Sequence, residues 1–304
     1  MIMKRIYKII FILTLTCFTL HGQSYTRLNN FWDNLYSINP ASINDAYLGT
    51  LTAATKQQWV KFPGAPQFYQ LTGTVYFDDY YTQLGVKVMT EKKGYTTQLD
   101  ASLSYTYALL LNNEWMMNMG ISLGFQNLSY DVSQITFDDP EEYDFYSRLL
   151  KRNRMNSDLG LEFNYYGYKF GLASHNLISL FNKDDDLYPN TNILYGVYRQ
   201  QNSDYISLGL GASVFQYGNI VQGEFNINAY LKKTMASDKM QIGFIYRTWK
   251  EVGLIFGVDW DKFKITYSAD FNVGSMVRHS YGTHEIMLTY NFNRAYRCIN
   301  CGWY

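Results

Sequence analysis

Apolar residues recur at every second position of this chain, in run after run, and that periodicity selects one secondary structure. On a strand, period two places the apolar set on one face and the remaining residues on the other. Met117, Met119, Ile121, Leu123 and Phe125 alternate with Asn118, Gly120, Ser122, Gly124 and Gln126. Val252, Leu254, Phe256, Val258 and Trp260 alternate with Gly253, Ile255, Gly257 and Asp259. Phe263, Ile265, Tyr267, Ala269 and Phe271 oppose Lys264, Thr266, Ser268 and Asp270 in the same way. Residues 99–109, 159–165, 206–214, 221–231 and 284–292 repeat the pattern.

A soluble sandwich would also alternate, so three further features decide. The runs are mostly 8–13 residues long, whereas globular strands cluster near ~5–6 and a tilted membrane strand needs ~9–11. The polar face is built from Gly, Ser, Thr and Asn with occasional charges, in a chain only 17% charged, where ordinary domains carry ~25%. Aromatic residues make up 18% of the chain and crowd the ends of the runs, at Tyr80, Tyr81, Tyr105, Tyr107, Trp115, Tyr165, Tyr166, Tyr217, Tyr246, Trp249 and Trp260. That is the pattern of interfacial aromatic girdles. The fold expected is all-β: a transmembrane antiparallel β-barrel with a polar lumen, in contact with outer-membrane lipid.

Fourteen strands are expected, at residues 51–58, 67–76, 81–90, 96–109, 114–126, 156–165, 168–175, 191–199, 205–216, 220–232, 239–247, 251–260, 263–270 and 283–292. Bacterial barrels have even strand numbers, with short periplasmic turns alternating with longer outer loops. Here every even-numbered connection is short, and the long segments 127–155, 176–190 and 271–282 all fall on odd ones. Both termini are then expected on the periplasmic side.

The chain divides accordingly. Lys4, Arg5 and Lys8 precede the apolar residues 9–20, and Gly22 precedes Gln23, so residues 1–22 read as a signal peptide. About 12 apolar residues are too few to cross ~30 Å of hydrocarbon, and Cys17 leaves with the signal. Residues 23–50 are expected as an N-terminal periplasmic segment, 51–292 as the barrel and 293–304 as a C-terminal periplasmic tail. The 26 basic residues balance 26 acidic ones, which removes the footprint of a nucleic-acid binder.

Groups that could carry chemistry are sparse. Cys298 and Cys301, the cysteines left after signal removal, are a candidate disulfide near the C-terminus. A zinc site would need two more ligands, from His175, His279 or His284. Asp138-Asp139-Pro140-Glu141-Glu142 and Asp184-Asp185-Asp186 lie in outer loops and lack the spacing of a calcium loop. His175 beside Ser174 and Ser179 raises a hydrolase reading. Inward-facing Lys87, Asp100, Asp158, Glu162, Glu224, Asp259, Lys264, Asp270 and Glu285 read as a lumenal salt-bridge network. No catalytic, cofactor-binding or metal residue is assigned, and no cofactor is expected.

Three segments resemble a known family. Tyr36-Ser37-Ile38-Asn39-Pro40-Ala41, then Gln57-Gln58-Trp59-Val60-Lys61-Phe62-Pro63-Gly64-Ala65-Pro66, and the closing His284-Glu285-Ile286-Met287-Leu288-Thr289-Tyr290 resemble the PorP/SprF outer-membrane barrels of the Bacteroidetes type IX secretion system. The resemblance implies a non-enzymatic component that supports secretion, surface attachment of cargo such as adhesins, and gliding motility. It implies as partners a secreted cargo protein and periplasmic type IX secretion components. A general diffusion channel is the alternative. Physically, Pro63 and Pro66 fix φ and Gly64 permits a tight turn. Trp59, Phe62, Pro63, Gly64, Ala65 and Pro66 therefore form a rigid first outer connection, folded into the barrel mouth or offered to a partner.

Overall fold

The computed structural model describes residues 27–293 except 113, 132–150, 181–188, 202, 235, 236, 249 and 274–279. Its strands are β1 (Gly49–Gln57), β2 (Gln67–Phe77), β3 (Thr82–Lys93), β4 (Thr96–Leu110), β5 (Trp115–Tyr130), β6 (Lys151–Tyr165), β7 (Tyr168–His175) and β8 (Thr191–Arg199), followed by β9 (Ile206–Tyr217), β10 (Ile220–Thr234), β11 (Ser237–Arg247), β12 (Glu251–Trp260), β13 (Phe263–Asn272) and β14 (Thr283–Phe292). Each pairs antiparallel with the next, and β14 returns to β1 from Gly49↔Phe292 to Gln57↔His284. The ladder closes without an edge, which lets every strand bond its backbone within hydrocarbon.

The expected count and order hold. β5 and β6 run further than the apolar alternation, through the pairs Asn127↔Asn153 and Ser129↔Lys151. The ladder continues there on polar residues, where alternation fades although backbone pairing does not.

The faces fall as the periodicity requires. On β12, Leu254, Phe256, Val258 and Trp260 point out while Gly253, Ile255 and Gly257 point in. At the rim of the short connections the outward aromatics touch one another, as in Trp115 stacked on Tyr165 at 4.6 Å and Tyr168 tilted against Tyr198 at 4.6 Å. Tyr217 departs from the expected girdle: it lines a cavity inside the barrel. Trp249 lies outside the described residues.

The lumen holds a segment of the chain's own N-terminal part. Residues 27–48 precede β1 and contain two short 3-10 turns, Phe31–Asp33 and Leu35–Ser37. Leu28, Phe31, Trp32, Leu35 and Ile38 bury against inward residues such as Phe68, Ile193, Tyr195, Phe215 and Met287. Ile43 buries near the short-connection rim with Tyr76, Ala108 and Met116. An N-terminal segment standing in the periplasm therefore does not describe residues 27–48. They carry too much apolar surface to leave in water, and the lumen provides a place to bury it.

Because the outward face meets lipid, Leu254→Arg is expected to cost ~2–4 kcal/mol and to reduce the folded species on heat-modifiable gels. Gly257→Ser, facing the lumen, should leave more folded barrel than Leu254→Arg.

Candidate functional site

The segment is held from nearly all sides. Arg27 Nη2 donates to Glu224 on β10 at 2.9 Å, and Trp32 Nε1 donates to the same carboxylate at 2.8 Å. Arg247 on β11 donates to the same Glu224 oxygen as Arg27, at 2.6 Å, and also reaches Asp270 at 3.0 Å and the Asn29 side chain at 3.0 Å. Glu285 on β14 accepts from the backbone N–H groups of Asn29 and Asn30 at 2.5 and 3.0 Å. Lys56 on β1 donates to the Arg27 carbonyl and to Asn29 Oδ1, both at 2.7 Å. Lys264 on β13 pairs with Asp33 at 2.9 Å. Each of these charges meets an opposite charge, a carbonyl oxygen or backbone N–H groups, as burial demands.

Further along, Tyr36 pairs with Ser104 on β4 at 2.7 Å. Burial pushes its phenol up to about 12, so it stays protonated. The Ile38 carbonyl meets His175 Nε2 at 2.8 Å, while His175 Nδ1 faces Asp158 at 3.1 Å. Asn39 donates to Tyr195 Oη at 3.0 Å, and Tyr195 donates to Glu162 at 2.5 Å. Thr106 donates to the Pro40 carbonyl at 2.6 Å and Gln83 to the Ser42 carbonyl at 2.9 Å.

Inward glycines make the room. A Cβ at Gly211 would stand 2.6 Å from the Trp32 ring. One at Gly120 would collide with the Pro40–Ala41 backbone, and those at Gly85 and Gly160 with Tyr36 and Asn39. The small residues of the polar face are thus the bed on which residues 27–48 lie.

The segment also has a direction. Arg27 sits by Gln222 and Glu224, close to the β10 start that follows the β9–β10 turn. Leu48 bonds to Phe292 and Tyr76 at the opposite rim, where the even-numbered connections lie. The chain therefore traverses the lumen from the half nearer the odd-numbered connections to the other rim.

Energetically, burying each large apolar side chain contributes ~1.5–3 kcal/mol, whereas buried ion pairs roughly break even against desolvation. The apolar residues therefore hold the segment in, and the charged ones fix where it sits.

The other sequence-derived candidates lie elsewhere. Trp59, Phe62, Pro63, Gly64, Ala65 and Pro66 form the β1–β2 connection, away from the segment in the lumen. Val60 exchanges backbone hydrogen bonds with Gly282 and Tyr281, and Gly64 accepts from the Gly94 N–H at 3.0 Å. Trp59 packs edge-on to Phe62 at 6.5 Å. Phe62 and Pro63 remain exposed, while Pro66 is buried. The connection is braced by its neighbours and presents its apolar tip outward.

Cys298, Cys301, His279, the signal region 1–22 and the two acidic runs lie outside the described residues. Among the described residues His175 forms no hydrogen bond with a serine side chain: Ser174 donates to Asn192 and Ser179 to the Asn176 carbonyl. Among the described residues no three His, Cys, Asp or Glu side chains are grouped to hold a metal.

Of the expected lumenal charges, Lys87 pairs with Asp158, Glu162 with Lys169, Glu224 with Arg27 and Arg247, Lys264 with Asp33 and Asp270 with Arg247, whereas Asp100, Asp259 and Glu285 form no ion pair among the described residues. Arg27, Lys56 and Arg247, which carry much of the network, were not picked out by strand alternation. Their signal was the cluster of Leu, Phe and Trp just before the first strand, too apolar for a free segment.

A sequence model of the family described as "Type IX secretion system membrane protein PorP/SprF" matches residues 20–290. Curated proteins yield no match. Among solved structures, the Acinetobacter baumannii outer membrane protein Omp33 is similar at 8% identity over 81% of this chain and 98% of that one, with a TM-score of 0.47. The P. putida toluene transporter TodX is similar at 9% identity over 84% and 93%, with a TM-score of 0.46.

Removing one partner from a buried charge cluster costs ~3–5 kcal/mol. Glu224→Ala, which strands Arg27 and Arg247, should lower the urea midpoint of the folded gel species by a corresponding amount. Asp79→Ala, on the exposed β2–β3 connection, should leave it unchanged.

Proposed function

The chain belongs to the PorP/SprF family of type IX secretion system membrane proteins and is an integral outer-membrane barrel; from that premise we propose that it supports secretion and surface attachment of particular cargo, such as adhesins, without catalysing a reaction. Gliding motility in a Bacteroidetes cell is the process such adhesins would serve. The observation that carries this reading against a diffusion channel is the filled lumen. Residues 27–48 bond to inward side chains on strands from β1 to β14, placing protein across the lumen where a diffusion channel needs open space.

The reading divides the molecule by its two ends. Cargo contact is proposed at the end carrying the long connections, where exposed loops are free to vary, with Trp59, Phe62, Pro63, Gly64, Ala65 and Pro66 as the braced apolar element. Contact with periplasmic secretion components is proposed at the short connections and at residues 293–304, where an oxidised Cys298–Cys301 pair would stiffen the tail. Export by a cleaved signal at residues 1–22 belongs to the same proposal.

Two measurements test it. In planar bilayers the full chain should give no steady conductance, whereas a stable open channel would favour the porin alternative. In cells, deleting the gene should abolish surface display of a specific cargo, and Phe62→Ala with Trp59→Ala should reduce it several-fold at unchanged barrel abundance. Normal display in the full deletion removes the secretion reading.

A further inference from the structure

Above the residues that fill the lumen, on the side of the long connections, lies a second feature that secretion does not account for. A cavity of about 100 Å³ is floored by Arg27 and Ser37 and walled by strands from β2 to β9. That is room for a few waters, at ~30 Å³ each, or for the tip of one long side chain.

The polar groups lining it are unevenly matched. Its cations are each accounted for: Arg27 by Glu224 at 2.9 Å, Lys93 by Glu91 at 2.8 Å, and Lys87 by Asp158 at 4.0 Å. Asp100 has no such ion pair among the described residues. Its Oδ2 accepts from Gln98 at 2.7 Å, and its Oδ1 has no hydrogen-bond partner. Gln70 Oε1, Asn156 Oδ1, Ser37 Oγ and Thr191 Oγ1 line the same cavity and are likewise unpartnered. Gln70 is 8% exposed and Thr191 0%, so a partner for either must reach it through this cavity.

Gln70 Oε1, Asn156 Oδ1 and Asp100 Oδ1 are bare acceptors, against a bare donor at Arg27 Nε, while the Ser37 and Thr191 hydroxyls can take either role. The amides of Gln98, Gln126 and Asn156 already donate to Asp100, Asn176 and Asp158. A buried carboxylate beside several bare oxygens requires a cation that brings its own donors. A planar guanidinium fork suits bidentate partners, whereas an ammonium is a compact point charge with three donors, better matched to acceptors on different walls. A neutral sugar or alcohol would leave Asp100 only the field of Lys87, which is itself paired with Asp158.

We propose that this cavity is a binding site for a primary ammonium group entering from the long-connection end, with Asp100 as counter-ion and Gln70, Asn156 and Thr191 as hydrogen-bond partners. The same chemistry is carried by a lysine side chain on another protein and by a free polyamine.

The test uses the full chain in detergent micelles and isothermal titration with n-butylamine, which is protonated at pH 7, against n-butanol. Wild type should bind butylammonium saturably and n-butanol not at all. Asp100→Asn should bind at least about tenfold more weakly, because a charge-assisted contact is lost. Should Asp100→Asn fail to give the folded gel species, Thr191→Val, which keeps the charge, should still weaken binding at least twofold. Absence of saturable binding, equal binding of n-butanol, or unchanged affinity in the folded variant overturns the proposal. Titration with Nα-acetyl-lysine N-methylamide and with spermidine separates the sources: tighter binding of the first marks a polypeptide, tighter binding of the second a polyamine.

Discussion

One carboxylate organises the interior of this barrel. Glu224 lies between Arg247, on the neighbouring strand, and Arg27, from a segment 197 residues earlier in the chain, and accepts the Trp32 indole N–H as well. Without the earlier segment it would still neutralise Arg247, but the indole and the second guanidinium would have no seat. The carboxylate thereby converts a generic charged lumen into a specific receptacle. The inward glycines complete it, because a side chain at Gly211 or Gly120 would occupy the space that Trp32 or Ala41 fills.

This arrangement divides labour between two kinds of force. The apolar contacts of Leu28, Phe31, Leu35 and Ile38 are non-directional and would tolerate several placements. The hydrogen bonds from Asn29, Asn39 and Tyr36 would not, since each leaves a buried polar atom unpaired if the segment slides. Tight docking with one register follows from having both.

The barrel was legible from residue order because period two is a local property: it needs only neighbours two positions apart, and a closed membrane sheet imposes it on every strand. Fourteen strands, their order and their faces come out of that rule. The occupant of the lumen obeys no such rule. Asn39, Pro40 and Ala41 could be noticed as part of a resemblance, yet nothing in their spacing says that they rest against Gly120 and Gly160, on strands more than 60 residues away. Gly120 and Gly160 themselves looked like ordinary small residues of a polar face. Trp59 and Phe62 were readable in part: the prolines and Gly64 announce a stiff connection, while its bracing by Val60, Tyr281 and Gly94 depends on contacts across three loops. Tyr217 shows the opposite limit, an aromatic at a strand end whose inward position is fixed by phase rather than by residue type.

The hydrogen bonds of Asn29 to Glu285 span 256 residues, and those of Arg27 to Gln222 and Glu224 span 195 and 197. The segment that leaves the ribosome before any strand thus acquires its full set of partners only when the last strand is in place. Closing loops of that length is entropically costly, and topologies dominated by distant contacts fold slowly. During that interval Phe31, Trp32 and their apolar neighbours have no native cover, and β1 and β14 present open edges to one another and to anything else nearby. Sealing the seam and completing the bonds of the lumenal segment therefore draw on the same strand, β14, which pairs with β1 and carries Glu285. The barrel's vulnerability to aggregation is concentrated in the unsealed precursor.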